Sequence, residues 1–193
     1  MNEEKKQEYF VKSALKSRGW SDKLIETILG EPDKLKCNPF YRSAPEMKLY
    51  LIEKVLKYEE TEQFKEHLIK REKRVQSAKK AVQTKYNNNI NVANQLTFKV
   101  PIISKDELIK DAIMSLNCFR GTNIKVNKLS EKSLHRILVN YIRHELTEYD
   151  YALYDINGKV GKYELYEIIK NKVLKEISKK YVYLKDECNR QMI

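Results

Sequence analysis

Cationic side chains able to hold phosphate are the chemistry most densely written into this sequence. Between positions 62 and 85 stand Lys65, Lys70, Arg71, Lys73, Arg74, Lys79, Lys80 and Lys85, against only Glu62, Glu66 and Glu72. Ammonium and guanidinium groups on successive helical turns track a phosphodiester backbone. Each neutralised phosphate releases condensed counterions, so affinity falls steeply with salt. The competing reading is a solvated helix face laced with internal charge pairs. Arg71 is the informative residue. It follows Phe64 by seven positions, so it falls on the stripe of Phe64, Leu68, Val75, Ala78 and Val82 rather than opposite it. A guanidinium there has to snorkel outward, pair with a carboxylate or meet a ligand.

A second motif precedes this helix: Asn38-Pro39-Phe40-Tyr41-Arg42-Ser43-Ala44-Pro45-Glu46-Met47-Lys48-Leu49-Tyr50-Leu51. Pro39 keeps Asn38 out of the helical region, and Pro45 suits the first turn of a helix, where a missing N–H costs nothing. The expectation is a stiff turn feeding an apolar, buried helix over 45–59, with the basic helix behind it. Lys48 and Arg71 would then hold phosphates near the 38–43 loop, helped by Arg42, Lys70 and Arg74, while Phe40 or Tyr41 abuts a sugar or base.

Asn-Pro followed at this distance by Met-Lys-Leu-Tyr-Leu, and then by a long Lys/Arg helix, resembles the DNA-binding domain of the xeroderma pigmentosum group A repair factor. The resemblance covers about residues 31–85. It implies a non-enzymatic scaffold that grips duplex DNA at junctions with single strands. It also implies that Lys48 matches the family's DNA-contacting lysine and Arg71 the arginine of its long helix. Phe40 and Ala44 stand where the family has a histidine and a tryptophan that stack on DNA ends, and the family's four-cysteine zinc module has no counterpart here.

Other constellations are weaker. His144, followed by Glu145 and Glu148, has the makings of an acid–base pair. However, His144 and Glu145 are neighbours that point to different helix faces, and Arg136 stands too far from His144 for the Arg–His pairing of HEPN-type ribonucleases. A ribonuclease using His144 with Glu148 and Arg143 is the remote third reading. Asp155-Ile156-Asn157-Gly158 begins like a calcium loop, but Val160 and Tyr166 occupy the positions that need Gly and Glu. Cys37, Cys118 and Cys188 show neither metal-ligand spacing nor a disulfide pattern, and Cys188, near the end, is expected to be exposed. No nucleotide-binding fingerprint occurs, so no metal and no cofactor are expected. Thirteen tyrosines are present. Tyr149, Tyr151 and Tyr154, or Tyr163 and Tyr166, have the type to stack bases, although at helical spacing they fill a core or a subunit contact more often.

The elements that must position these groups follow from periodicity. Helices are expected over 4–17, 23–29, 45–59 and 62–85, with a short strand at 35–37 and Trp20 as a core anchor. Asn87-Asn88-Asn89 reads as a linker, and 90–103 as an extended connector in which Pro101 argues against a central strand. Ser104-Lys105-Asp106-Glu107 is a capping box that opens a helix to about 119. Ser130 caps a long helix to about 154, Asn157-Gly158 turns the chain, and a last long helix runs over 161–181 before a short helical tail.

At 193 residues, 34% charged, with 5 Gly and 4 Pro, the composition suits a mainly helical protein rather than a β-sandwich. A formal charge of +11 favours polyanionic partners. No signal peptide or membrane-length apolar run is seen, which points to the cytoplasm or the nucleoid. The expected fold is mainly α: a small helical DNA-binding module over 1–86, with room for one short β-hairpin, a connector over 87–103, and a three-helix unit over 104–193. The expected function is non-catalytic DNA binding, to duplex or junction, with low sequence specificity. The alternative is a helical subunit that docks a protein partner through 104–193.

Overall fold

A computed structural model describes residues 8–39 and 44–192. The fold is mainly α with one small antiparallel sheet, and the chain divides into a unit of Met1–Lys79 and a unit of Lys80–Ile193.

The first unit opens with β1 (Tyr9–Val11), α1 (Lys12–Ser17) and α2 (Asp22–Leu24), which continues as a π-helical turn through Ile25–Leu29. Strands β2 (Lys34–Lys36) and β3 (Met47–Leu51) follow, then α3 (Ile52–Glu59) and the first part of α4 (Glu62–Gln95). The strand order is β1-β3-β2, all antiparallel, with Tyr9 opposite Leu51 and Lys36 opposite Met47. Two expectations are corrected here. Residues 9–11 are strand rather than the middle of a helix over 4–17, and Met47–Leu51 is the central strand rather than the start of a helix from Pro45. The cause is tertiary. Met47–Leu49 pair with β2 along one edge and Leu49–Leu51 with β1 along the other, and this pairing outranks the helix propensity of Met, Lys and Leu. The strand ends where the Leu51 N–H donates to Asp33 Oδ2 at 2.9 Å and the Ile52 N–H to the Glu8 carbonyl at 3.0 Å.

Leu15, Trp20, Ile25, Leu29, Tyr50, Val55 and Phe64 form this unit's core. Trp20 is the expected anchor, with ring centroids 5.1 Å from Phe64 and 5.3 Å from Tyr58. Its indole N–H donates to Glu59 Oε1 at 2.9 Å, and Arg18 Nε donates to the same oxygen at 2.8 Å. A second Arg18 nitrogen pairs with Glu59 Oε2. The polar edge of a buried aromatic is thus satisfied, as burial requires.

The second unit contains the end of α4, then α5 (Lys105–Arg120), α6 (Glu131–Glu145), α7 (Tyr149–Asp155), α8 (Lys162–Lys180) and α9 (Lys185–Gln191). Ser104 and Ser130 act as the expected N-caps, accepting from the N–H groups of Glu107 and Ser133, each at 3.3 Å. Asn87-Asn88-Asn89 does not break the helix: it lies inside α4, whose end supplies buried Ala93 and half-buried Ile90 to this unit's core. α4 ends at Gln95, where Lys172 Nζ donates to Asn94 O, one of its last carbonyls, at 2.6 Å and to Leu96 O just beyond it at 2.9 Å. The following residues are extended, with Phe98 and Val100 buried and the Tyr181 hydroxyl donating to Pro101 O at 2.9 Å. The expected single helix to Tyr154 is two helices. Thr147 Oγ1 donates to Arg143 O at 2.6 Å and accepts from the Tyr149 N–H at 3.3 Å, which diverts the backbone between α6 and α7. Among the described residues, no helix is long and apolar enough to cross a membrane.

Candidate nucleic-acid interface

α4 changes character along its length. Phe64 and Leu68 pack in the first unit's core and Ile90 and Ala93 in the second's, but every residue from 69 to 85 is exposed. The stripe expected to be buried is therefore open: Val75 is 37% and Val82 53% accessible. This resolves the position of Arg71. It lies on the stripe, which nothing among the described residues covers at that level.

The charge pairing of this helix is uneven. Lys65 Nζ lies 2.8 Å from Glu62 and Lys70 Nζ 3.1 Å from Glu66, while Glu72 accepts from Gln76 Nε2 at 2.6 Å. Arg71, Lys73, Arg74, Lys79, Lys80 and Lys85 have no ion pair among the described residues. At 3.6 residues per turn, Lys70, Arg71 and Arg74 fall within an arc of about 100° and Lys73 adjoins it. Seven cations against the single carboxylate of Glu72 between positions 70 and 85, in open solvent, raise the local potential and draw polyanions.

Lys48 is exposed on β3, directly across from Leu35 of β2, and has no acidic partner among the described residues. It sits on a strand and Arg71 on α4. No hydrogen bond or ion pair links the two among the described residues, whereas Lys70, Arg71 and Arg74 share one helix. Phe40, Tyr41 and Arg42, the loop residues of the expected cradle, lie outside the described residues. Lys73, Lys79, Lys80 and Lys85 join the candidate interface. Their signal in the sequence was the charge count alone.

In the second unit, the partner of His144 is neither Glu145 nor Glu148. His144 Nδ1 lies 2.8 Å from Asp150 Oδ1, and Nε2 faces the Arg143 guanidinium at 3.1 Å. Arg143 also donates to Gln191 Oε1 at 3.1 Å and covers the Tyr149 ring at 5.1 Å. Both imidazole nitrogens are thus engaged in an ordered polar cluster. Burial and a hydrogen bond with Tyr166 push the Tyr149 hydroxyl well above the ordinary tyrosine range.

The tyrosines divide in a way their spacing did not show. Tyr149 is buried, but Tyr151, Tyr154 and Tyr163 are 79%, 78% and 85% accessible. Tyr154, Tyr163 and Tyr166 wall a cleft of about 720 Å³ whose rim includes Asp150, Asn157 and Lys162. Among the described residues, no group of three His, Cys, Asp or Glu side chains has the arrangement of a metal site. No family model, curated protein or solved structure matches this chain.

Proposed function

We propose that this protein binds duplex DNA through its phosphate backbone, without catalysis and with low sequence specificity. The observation that carries the reading is the run of six cations with no ion pair among the described residues, on a stretch of α4 exposed around its whole circumference. A helix turn that buries nothing contributes little to tertiary stability. Six like charges close together oppose one another unless a counter-charge arrives. A row of phosphates supplies that counter-charge. Lys48, also exposed and without an ion pair among the described residues, adds a cation on β3, and the likeness of residues 31–85 to a DNA-gripping repair domain points the same way. Contacts of this kind position a duplex and carry little sequence information.

The test is a fluorescence-anisotropy titration of a labelled duplex at two salt concentrations. The full chain is compared with variants carrying Arg71→Gln and Arg74→Gln, and separately Lys48→Gln. Weaker binding and a shallower salt slope in the first variant support the proposal. An unchanged affinity and slope remove α4 from the interface.

A helical interaction subunit is the second reading. One observation favours it: α5 leaves Met114 and Phe119 63% and 89% accessible. It predicts no duplex affinity at moderate salt, which the same titration reads.

A further inference from the structure

The second unit holds a cleft that phosphate binding on α4 does not use. We propose that the cleft walled by Tyr154, Tyr163 and Tyr166 takes one or two unpaired nucleobases of a single-stranded nucleic acid. The inference rests on the nucleic-acid reading for the identity of the polymer, and it adds a second site with different chemistry.

Four observations converge. The first is the tyrosines themselves. Tyr154 and Tyr163 bury almost nothing in their own unit. A tyrosine ring is a large, stiff apolar surface that gains free energy when something flat covers it, and every nucleobase has such a face. One face of Tyr166 is occupied by Lys170, whose Nζ lies 5.6 Å from the ring centroid, so a stack here forms on one side only.

The second is the size and floor of the cleft. About 720 Å³ lies within the range of sites that hold small ligands, roughly 300–1,000 Å³. Leu153 and Ile156 add aliphatic surface to its lining.

The third is the rim. Asn157 offers an amide, which both donates and accepts, and Asp150 offers a carboxylate held in place through its Oδ1 by His144. These are the groups that read the exocyclic amines and carbonyls of a base edge.

The fourth is charge. Among the described residues, Asp150 is the one carboxylate lining the cleft. Lys162 also lines it, and its ammonium donates 2.9 Å to Asn157 Oδ1, a neutral partner, so its positive charge stays uncompensated. Lys159, exposed in the adjoining turn, has no acidic partner among the described residues. An aromatic wall, a hydrogen-bonding edge and a cationic corner form the pattern of a nucleotide site.

The experiment uses the full chain and two variants, Tyr154→Ala with Tyr163→Ala, and Tyr154→Phe with Tyr163→Phe. Fluorescence anisotropy measures affinity for a labelled oligothymidylate of about ten nucleotides and, separately, for a duplex. The alanine pair should bind the single strand roughly 5- to 100-fold more weakly, the phenylalanine pair should retain affinity, and duplex binding should stay unchanged in both. Saturation-transfer NMR with AMP provides the second arm.

An alanine pair that binds the oligonucleotide as the native chain does overturns the proposal. So does a native chain that binds duplex but no oligonucleotide, which leaves the reading of α4 standing. Binding of AMP at the tyrosines without binding of the oligonucleotide identifies the cleft as a free-nucleotide site and overturns the single-strand assignment. Loss of single-strand affinity in the alanine pair, with duplex affinity indifferent to the α4 variants, overturns the α4 reading and leaves the cleft in place.

Discussion

The Lys70 ammonium lies 3.1 Å from Glu66 Oε2, and beyond this contact α4 makes no further ion pair among the described residues. The contact divides cations of one composition into two physical kinds. Lys70 already faces a carboxylate, so a phosphate that approaches it has a competitor. Arg71 and the cations after it meet no such competitor.

A salt titration separates these kinds. Each phosphate contact contributes about 0.9 to the slope of log K against log salt. Arg71→Gln, Arg74→Gln and Lys85→Gln together should lower that slope by about 2–3, with affinity falling at every duplex sequence alike. Lys70→Gln alone should change the slope by less than Arg71→Gln alone. Equal effects would mean that the Glu66 pair is broken on binding.

Gly161 makes a second prediction. It precedes α8 with φ +82°, and a Cβ built there would stand 2.7 Å from two ring carbons of Tyr86. Gly158, with φ +73°, has nothing within 4 Å of the same position. Both replacements pay the left-handed backbone cost, about 1–2 kcal/mol, but only Gly161→Ala also displaces a packed ring, adding about 1–3 kcal/mol. Urea unfolding followed by circular dichroism should therefore rank Gly161→Ala clearly below Gly158→Ala. If the two melt together, the Tyr86 ring yields freely.

What the sequence disclosed depended on how local each cause was. Ser104 and Ser130 announce helix starts because a cap is settled within one turn, and Trp20 announces a core because its area has few other uses. Met47–Leu51 was unreadable as a strand because its reasons lie elsewhere, in Tyr9–Val11 on one side and Lys34–Lys36 on the other. The asparagines at 87–89 were misleading for a similar reason. Asn89 donates to Val160 O at 3.0 Å, and the helix continues because distant residues reward it. The exposure of Tyr151 and Tyr154 turns on the break after Glu145, which resets the face that the next helix presents. The cationic helix was legible because charge is counted, not folded. That its stripe is uncovered was not.

The cysteines provide a chemical check on burial. Cys37 and Cys118 are exposed and Cys188 is buried, against the expectation that a position near the end of the chain would be open. Its helix α9 packs on α6 and α8, and burial, with Glu187 adding to it, pushes the thiol up to about 12. The thiolate is the reacting species. A disulfide reagent at neutral pH should therefore modify two thiols promptly in the folded chain and the third only after denaturant is added. Three prompt thiols would place α9 off the core.

Glu59 ties stability to pH in the first unit. Its carboxylate accepts from Arg18 and from the Trp20 indole, and its pKa lies below the ordinary value of 4.5, chiefly through the Arg18 hydrogen bond and against the opposing effect of burial. A group whose pKa is lowered by folding binds its proton more readily in the unfolded chain, so its contribution is complete above the unfolded value and fades as pH falls through the folded one. Charge-assisted hydrogen bonds contribute about 1.5–3 kcal/mol. Glu59→Gln keeps an acceptor for Trp20 but not the charge, and it should lower the free energy of unfolding at neutral pH by an amount within or somewhat below that range. The gap from the native chain should hold down to about pH 5 and then narrow below it. Trp20 is the only tryptophan, so its fluorescence reports on this unit directly. A gap that stays constant to pH 3 or below would show that the carboxylate acts through its shape and not its charge.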